Sequence, residues 1–222
     1  MSKNILGLII LLLMNACSGT QNIELPQGRI QEIPKYKNTY PTKMKKDDYV
    51  KNKKSYVLLE EGKKMLFQHK PKEAIERYFN IVINQQEQIG INDKILYAEA
   101  LHHKGYAYID LNMFKKAEEY IRKAIKVSDN NPVYISELGY IYQKQKNWRN
   151  AYDIFTKAEK IARRNPKQSL VLGRALRGKG FALIEMKQYK RAIEEYKRAL
   201  KINKNDLKAK NELNYIVAMG YK

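Results

Sequence analysis

From about Ser55 onward, apolar residues recur at helical spacing, and small residues recur on a fixed grid. Gly62, Gly105, Gly139 and Gly180 each precede an alanine by twelve residues: Ala74, Ala117, Ala151 and Ala192. Sixteen residues after each glycine stands a bulky residue, Tyr78, Ile121, Phe155 or Tyr196. Nineteen after it stand Ile81, Ala124, Ala158 and Ala199. Nine after it stand Phe114, Trp148 and Tyr189, with Pro71 in the first unit. Each unit therefore predicts two amphipathic helices joined by a polar turn: "QHKPK", "DLNMF", "KQKNW" and "EMKQY". The glycine is expected to let the second helix close on the first, and the alanine to sit where the two cross. Glu73–Arg77, Glu118–Arg122, Glu119–Lys123 and Glu194–Arg198 are expected to pair along the wet faces of the second helices.

These residues resemble the tetratricopeptide repeat, a helix-turn-helix unit with a period of roughly 34 residues. The segment "ISELGYIYQKQKNWRNAYDIFTKAEK" carries the motif most fully, in Leu138-Gly139, Tyr142, Ala151, Phe155 and Ala158. The resemblance implies an all-α fold, an α-solenoid of four units near 55–88, 98–131, 132–165 and 173–206. The steps between the glycines are 43, 34 and 41 residues, so two gaps are long. Asn84–Asp93 and Ala162–Val171 hold the surplus, as longer helices or as exposed loops. The first unit is degenerate, with Met65 and Pro71 at family aromatic positions. Residues 206–222 suit a capping helix, with Asp206 as N-cap and Leu207, Leu213, Ile216 and Val217 on one face.

In the repeat family the first helices line a concave groove. Matched position by position, the groove would take Glu99, His102, Tyr106 and Ile109 from the second unit. It would take Val133, Ser136, Tyr140 and Gln143 from the third, and Arg174, Arg177, Phe181 and Ile184 from the fourth. The resemblance implies a peptide or protein partner there, with the two arginines at one end for acidic groups. The same rings could instead pack between neighbouring helices as core. The Lys/Asn set with which chaperone-binding relatives hold a C-terminal carboxylate is missing, so that ligand is not expected.

The start of the chain follows another pattern. Lys3 precedes the uncharged run Ile5–Met14, which is short of the roughly 20 apolar residues a spanning helix needs. It has the length of a signal-peptide core, and Ala16 before Cys17 suits a cleavage site. Met14-Asn15-Ala16-Cys17 resembles the bacterial lipoprotein box, with Met14 and Asn15 departing from its usual leucine and small residue. The resemblance implies removal of residues 1–16 and acylation of Cys17, firm anchoring needing at least two acyl chains. With Ser18 rather than Asp next, it points to the outer membrane. A general secretory signal or an uncleaved anchor, with Cys17 incidental, is the other reading. Residues 17–54 read as a tether interrupted by Pro26, Pro34 and Pro41. Its lysine-rich end, Lys43–Lys54, suits either anionic lipid or a solvated approach to the first helix.

The net charge of +20 favours anionic partners without choosing among them. An export signal and the lack of a base-stacking module argue against nucleic acid. One cysteine excludes an internal disulfide. No catalytic constellation stands out. His102 and His103 are sequence neighbours expected to diverge around a helix, and no His pair has metal-ligand spacing. The acidic pairs Glu118-Glu119 and Glu194-Glu195 are expected on solvated faces, and Gly178-Lys179-Gly180 follows no strand. No cofactor and no enzymatic activity are expected. The expected role is a lipid-anchored scaffold of a bacterial envelope, assisting assembly of an outer-membrane, pilus or secretion complex. An accessory to a cell-wall enzyme and a polyanion binder are the competing readings.

Overall fold

The computed structural model describes residues 46–221, with side chains from residue 52 onward. The expected leader, Cys17 and most of the tether lie outside the described residues. Helix α1 spans Lys46–Phe67, so residues 46–54 are helical rather than tether. Helix α2 continues from Pro71–Ala74 through a π turn at Ile75–Phe79 into Asn80–Gln88. Then follow α3 (Lys94–Asp110), α4 (Phe114–Val127), α5 (Pro132–Lys144) and α6 (Trp148–Ala162). A 3₁₀ turn, Pro166–Gln168, leads to α7 (Ser169–Glu185), α8 (Tyr189–Ile202) and α9 (Leu207–Ala218). Helices pack in chain order: α3 on α4, α5 on α6, α7 on α8, with each pair set against the next.

Local chemistry explains where the helices stop and start. His69, Asn112, Lys146 and Lys187 all have φ between 56° and 60°, the left-handed region. Each ends a first helix in the same hydrogen-bonded pattern. In the third unit Lys146 N–H donates to Gln143 O and Asn147 N–H donates to Tyr142 O, which satisfies the last carbonyls. At the starts, Asp93, Asn131, Asn147 and Asp206 accept backbone N–H groups with their side chains.

The small-residue grid sits at the helix crossings. Ala74, Ala117, Ala151 and Ala192 have no exposed surface. A Cβ on Gly105, Gly139 or Gly180 would lie 2.9, 2.9 or 2.8 Å from Ile121, Phe155 or Tyr196 of its own unit. Gly178 serves the junction between units, since a Cβ there would lie 2.5 Å from Phe155 of the unit before. Each core cluster accordingly spans one hairpin and the next helix, as in a quasi-one-dimensional stack.

The first unit departs from the expected register. Gly62 meets Phe79, not Tyr78, and Val82 is buried while Ile81 is exposed. The π turn accommodates one extra residue between Ala74 and these contacts, and so shifts every later side chain by one position. The surplus at 84–93 is divided between the end of α2 and a loop. Gln86 pins that loop, donating to Asn52 Oδ1 (3.1 Å) and accepting from Asp93 N–H (3.0 Å). The surplus at 162–171 forms the loop around Pro166–Gln168 and the start of α7.

The capping helix is present, but it packs through Ala209 and Ile216, while Leu207 and Val217 are exposed. The expected Glu194–Arg198 pair is replaced. Glu194 holds Lys197 at 3.3 Å, and Arg198 turns inward to Glu195 (2.6 Å) and to Glu159. Lys179 completes the cluster, 2.7 Å from both Glu159 and Glu195. Glu195 is therefore buried rather than on a solvated face, and one ion-pair network ties α6, α7 and α8 together. Burial would push the Glu159 carboxyl up, but Lys179 and Arg198 outweigh it and hold it below the usual range.

Candidate functional site

The face lined by α3, α5 and α7 carries the residues carried over from the groove positions. Glu99, His102, Tyr106 and Ile109 on α3 are buried, as are Val133, Ser136 and Gln143 on α5 and Ile184 on α7. Tyr140, Arg174, Arg177 and Phe181 are half-buried. Ser136 Oγ donates to Pro132 O (2.9 Å), and Gln143 Nε2 donates to Gly178 O (3.1 Å), which bridges α5 to α7.

Both arginines are already engaged. Arg174 Nη1 donates to Glu137 Oε1 at 2.6 Å, and Arg177 Nη1 donates to Asp206, the N-cap of α9. An acidic ligand therefore meets guanidinium groups that carboxylates already orient, and it gains only by displacing or sharing those partners. Phe181 meets the Trp148 indole edge-on at 5.9 Å between ring centres, and Lys144 Nζ lies 5.2 Å from the Tyr140 ring. Glu137, Lys144 and Trp148 thus belong to this face, although sequence reasoning did not place them there. Periodicity within one helix does not reveal a partner 37 residues away, as Glu137 is from Arg174.

Burial sets the electrostatics of the face. It raises the Glu99 and Asp110 carboxyls, against the pull of Lys63 on the first and of His69 and Lys144 on the second. Burial, with Glu137 and Asp110 nearby, pushes the Tyr140 hydroxyl up to about 12, and Tyr106 rises in the same way. His102 and His103 reach neighbours on different helices, Tyr134 of α5 packing on His102 (4.9 Å) and Phe79 of α2 stacking on His103 (6.0 Å), while their own ring centres lie 4.7 Å apart. Burial lowers His102 to about 3 and His103 well below its usual value, so both rings are neutral near pH 7. Among the described residues no cluster of three or more His, Cys, Asp or Glu is placed to hold a metal ion. No helix among them is long and apolar enough to cross a membrane.

Comparison with known proteins agrees with this architecture. Residues 98–131 and 133–205 match models of the tetratricopeptide repeat. No curated protein matches the chain significantly. Among solved structures, MamA residues 41 to the end, from Desulfovibrio magneticus RS-1, is 18% identical, with a TM-score of 0.56. That match covers 75% of this chain and 85% of that one. The N-terminal domain of stress-induced protein-1 from C. elegans is 19% identical, with a TM-score of 0.51, over 56% of this chain and 98% of that one. The first tetratricopeptide domain of Spaghetti (RPAP3), bound to the HSP90 peptide SRMEEVD, is 24% identical, with a TM-score of 0.50. It covers 56% of this chain and 94% of that one. Identities this low speak for the fold alone, and it is the two matched segments that identify residues 98–131 and 133–205 as tetratricopeptide repeats.

Proposed function

We propose that this chain is a membrane-tethered scaffold of the bacterial envelope, which holds a peptide or protein partner on the face lined by α3, α5 and α7. The observation that carries the reading is the set of half-buried side chains there: Tyr140 and Phe181 supply aromatic surface beside Arg174 and Arg177. Such a face suits protein recognition better than chemistry, since it offers contact area and oriented charge without a nucleophile–base pair. The peptide-bound RPAP3 domain supports peptide recognition by the same fold. The apolar run Ile5–Met14, followed by Ala16-Cys17, supports the tether, through two or more acyl chains on the processed cysteine. Outer membrane is preferred to inner on the strength of Ser18.

Two experiments test the two halves. Metabolic palmitate labelling should mark the wild-type chain and not Cys17→Ala, and equal labelling refutes the anchor. Affinity capture from envelope extracts with the full chain should retrieve proteins that Tyr140→Ala/Phe181→Ala loses. If both forms retrieve the same proteins equally, the partner does not use this face. Glu137→Gln, which loosens the hold on Arg174, should strengthen capture of any acidic partner.

A further inference from the structure

The outer side of the stack carries a cleft that the first-helix face does not use. Helices α4 and α6 flank α5, and a cavity of about 300 Å³ opens between them. Its floor is aliphatic: Ile125, Ile135, Leu138 and Ile154. Its rim is cationic, with Arg122, Lys126 and Lys157 set against the single carboxylate of Asp129.

The rim cations are not all accounted for by folding. Arg122 is fixed in place by Glu118 (2.7 Å) and by Tyr142, to whose hydroxyl it donates at 2.7 Å. Lys126, in the last turn of α4, is exposed, and no carboxylate pairs with it among the described residues. The helix dipole favours a cation at that end. The same explanation fails for Lys157, which lies mid-helix in α6 and, among the described residues, reaches the Asn130 amide oxygen at 3.4 Å and no carboxylate. Asp129 and Asn130 are consecutive left-handed residues (φ 50° and 63°), which shape the loop at the rim.

Three conditions narrow the occupant. With Arg122 balanced by Glu118, Lys126 and Lys157 against Asp129 still leave the rim net positive, which calls for net negative charge in the occupant. An aliphatic floor calls for an apolar group and gains nothing from a bare anion. The volume is at the lower end of the roughly 300–1,000 Å³ range of ligand pockets, room for one large side chain but not for a diacyl lipid. We propose that this cleft is a second docking site, and that it takes an acidic segment of a partner protein presenting one large apolar side chain between carboxylates. The site lies beyond the groove reading and stands without it. With both faces occupied, the chain would join two partners rather than hold one.

The test uses the full ¹⁵N-labelled chain and the peptide acetyl-Glu-Glu-Phe-Glu-Asp-amide. Saturable amide shifts are expected at Ile125, Lys126, Asn130 and Ile154. Lys126→Glu/Lys157→Glu should weaken binding by roughly tenfold, and so should a rise in salt from about 0.05 to about 0.5 M. Ile154→Gln should weaken the Phe peptide but not its Ala counterpart, which separates the floor from the rim. Melting curves would establish that each variant folds. Tyr140→Ala/Phe181→Ala should bind unchanged, so failure of the groove reading and failure of this one are distinguishable. The proposal is overturned by no shifts at millimolar peptide, by shifts centred on α3, α5 and α7, or by indifference to the charge reversal. A response to phosphatidylglycerol vesicles without a response to the peptide would overturn it in favour of lipid.

Discussion

At the scale of single residues, the repeat is written twice, once in sterics and once in backbone conformation. The steric copy was legible in the sequence. Only glycine or alanine fits where two helices cross closely, so Gly139 and Ala151 had to recur in kind and at fixed spacing. The conformational copy was hidden. Four equivalent positions adopt φ near +60°, and beside His69 and Asn112 two of them hold lysine, Lys146 and Lys187, an uncommon occupant of that region. Sequence reading fails there because hydrogen bonds at the helix end impose the conformation and the side chain merely tolerates it. Lys187→Gly should therefore stabilise the protein by about 1 kcal/mol, since glycine has no Cβ to clash in that region. In a thermal melt this corresponds to a rise of roughly 2–4 °C for a domain of this size. An unchanged or lower melting temperature would mean that the lysine stem contributes packing that outweighs the relief.

At the scale of elements, helix number, order and turns could be read from periodicity, while register and inter-helix ion pairs could not. The π turn makes the point. Tyr78 and Ile81 held the expected spacing, but Phe79 and Val82 hold the core, because one spare residue is absorbed at Ile75–Phe79. Deleting Arg77, an exposed residue within that turn, should restore the spacing of the other units and shift stability by no more than about 1 kcal/mol. Deleting Arg122 from α4, which has no spare residue, should rotate Ala124 off the crossing and abolish cooperative melting. The ion-pair network also rests on contacts that no local pattern encodes: Lys179 lies 20 residues from Glu159. Lys179→Met would leave Glu159 and Glu195 buried with Arg198 as their remaining cation. It should cost about 1–3 kcal/mol, read from the urea midpoint.

At the scale of the whole molecule, stacking makes stability a sum of neighbouring interfaces, and the two ends of this stack respond differently to acid. The buried histidines couple α2, α3 and α5, since His103 stacks on Phe79 and His102 packs on Tyr134. Their folded-state values lie below the usual 6.5, so the unfolded chain takes up protons first as pH falls. Stability contributed by each histidine is complete above about pH 6.5 and is lost below it, at up to about 1.4 kcal/mol per pH unit. Glu99 and Asp110 act in the opposite direction. Their raised carboxyls bind protons in the folded state at a pH where the unfolded chain does not, which offsets part of the loss. At the other end, Glu159 is held low, so the α6–α8 network persists until pH falls below the ordinary carboxylate range near 4.5. Between these limits the stack should open from its N-terminal side. Hydrogen exchange at about pH 5, corrected for intrinsic rates, should show lost protection in α3 while α8 remains protected. His102→Gln/His103→Gln should be less stable at pH 7 but should no longer lose stability between pH 7 and 5. Equal loss of protection in α3 and α8, or an unchanged pH slope in the double variant, would place the acid-sensitive element elsewhere.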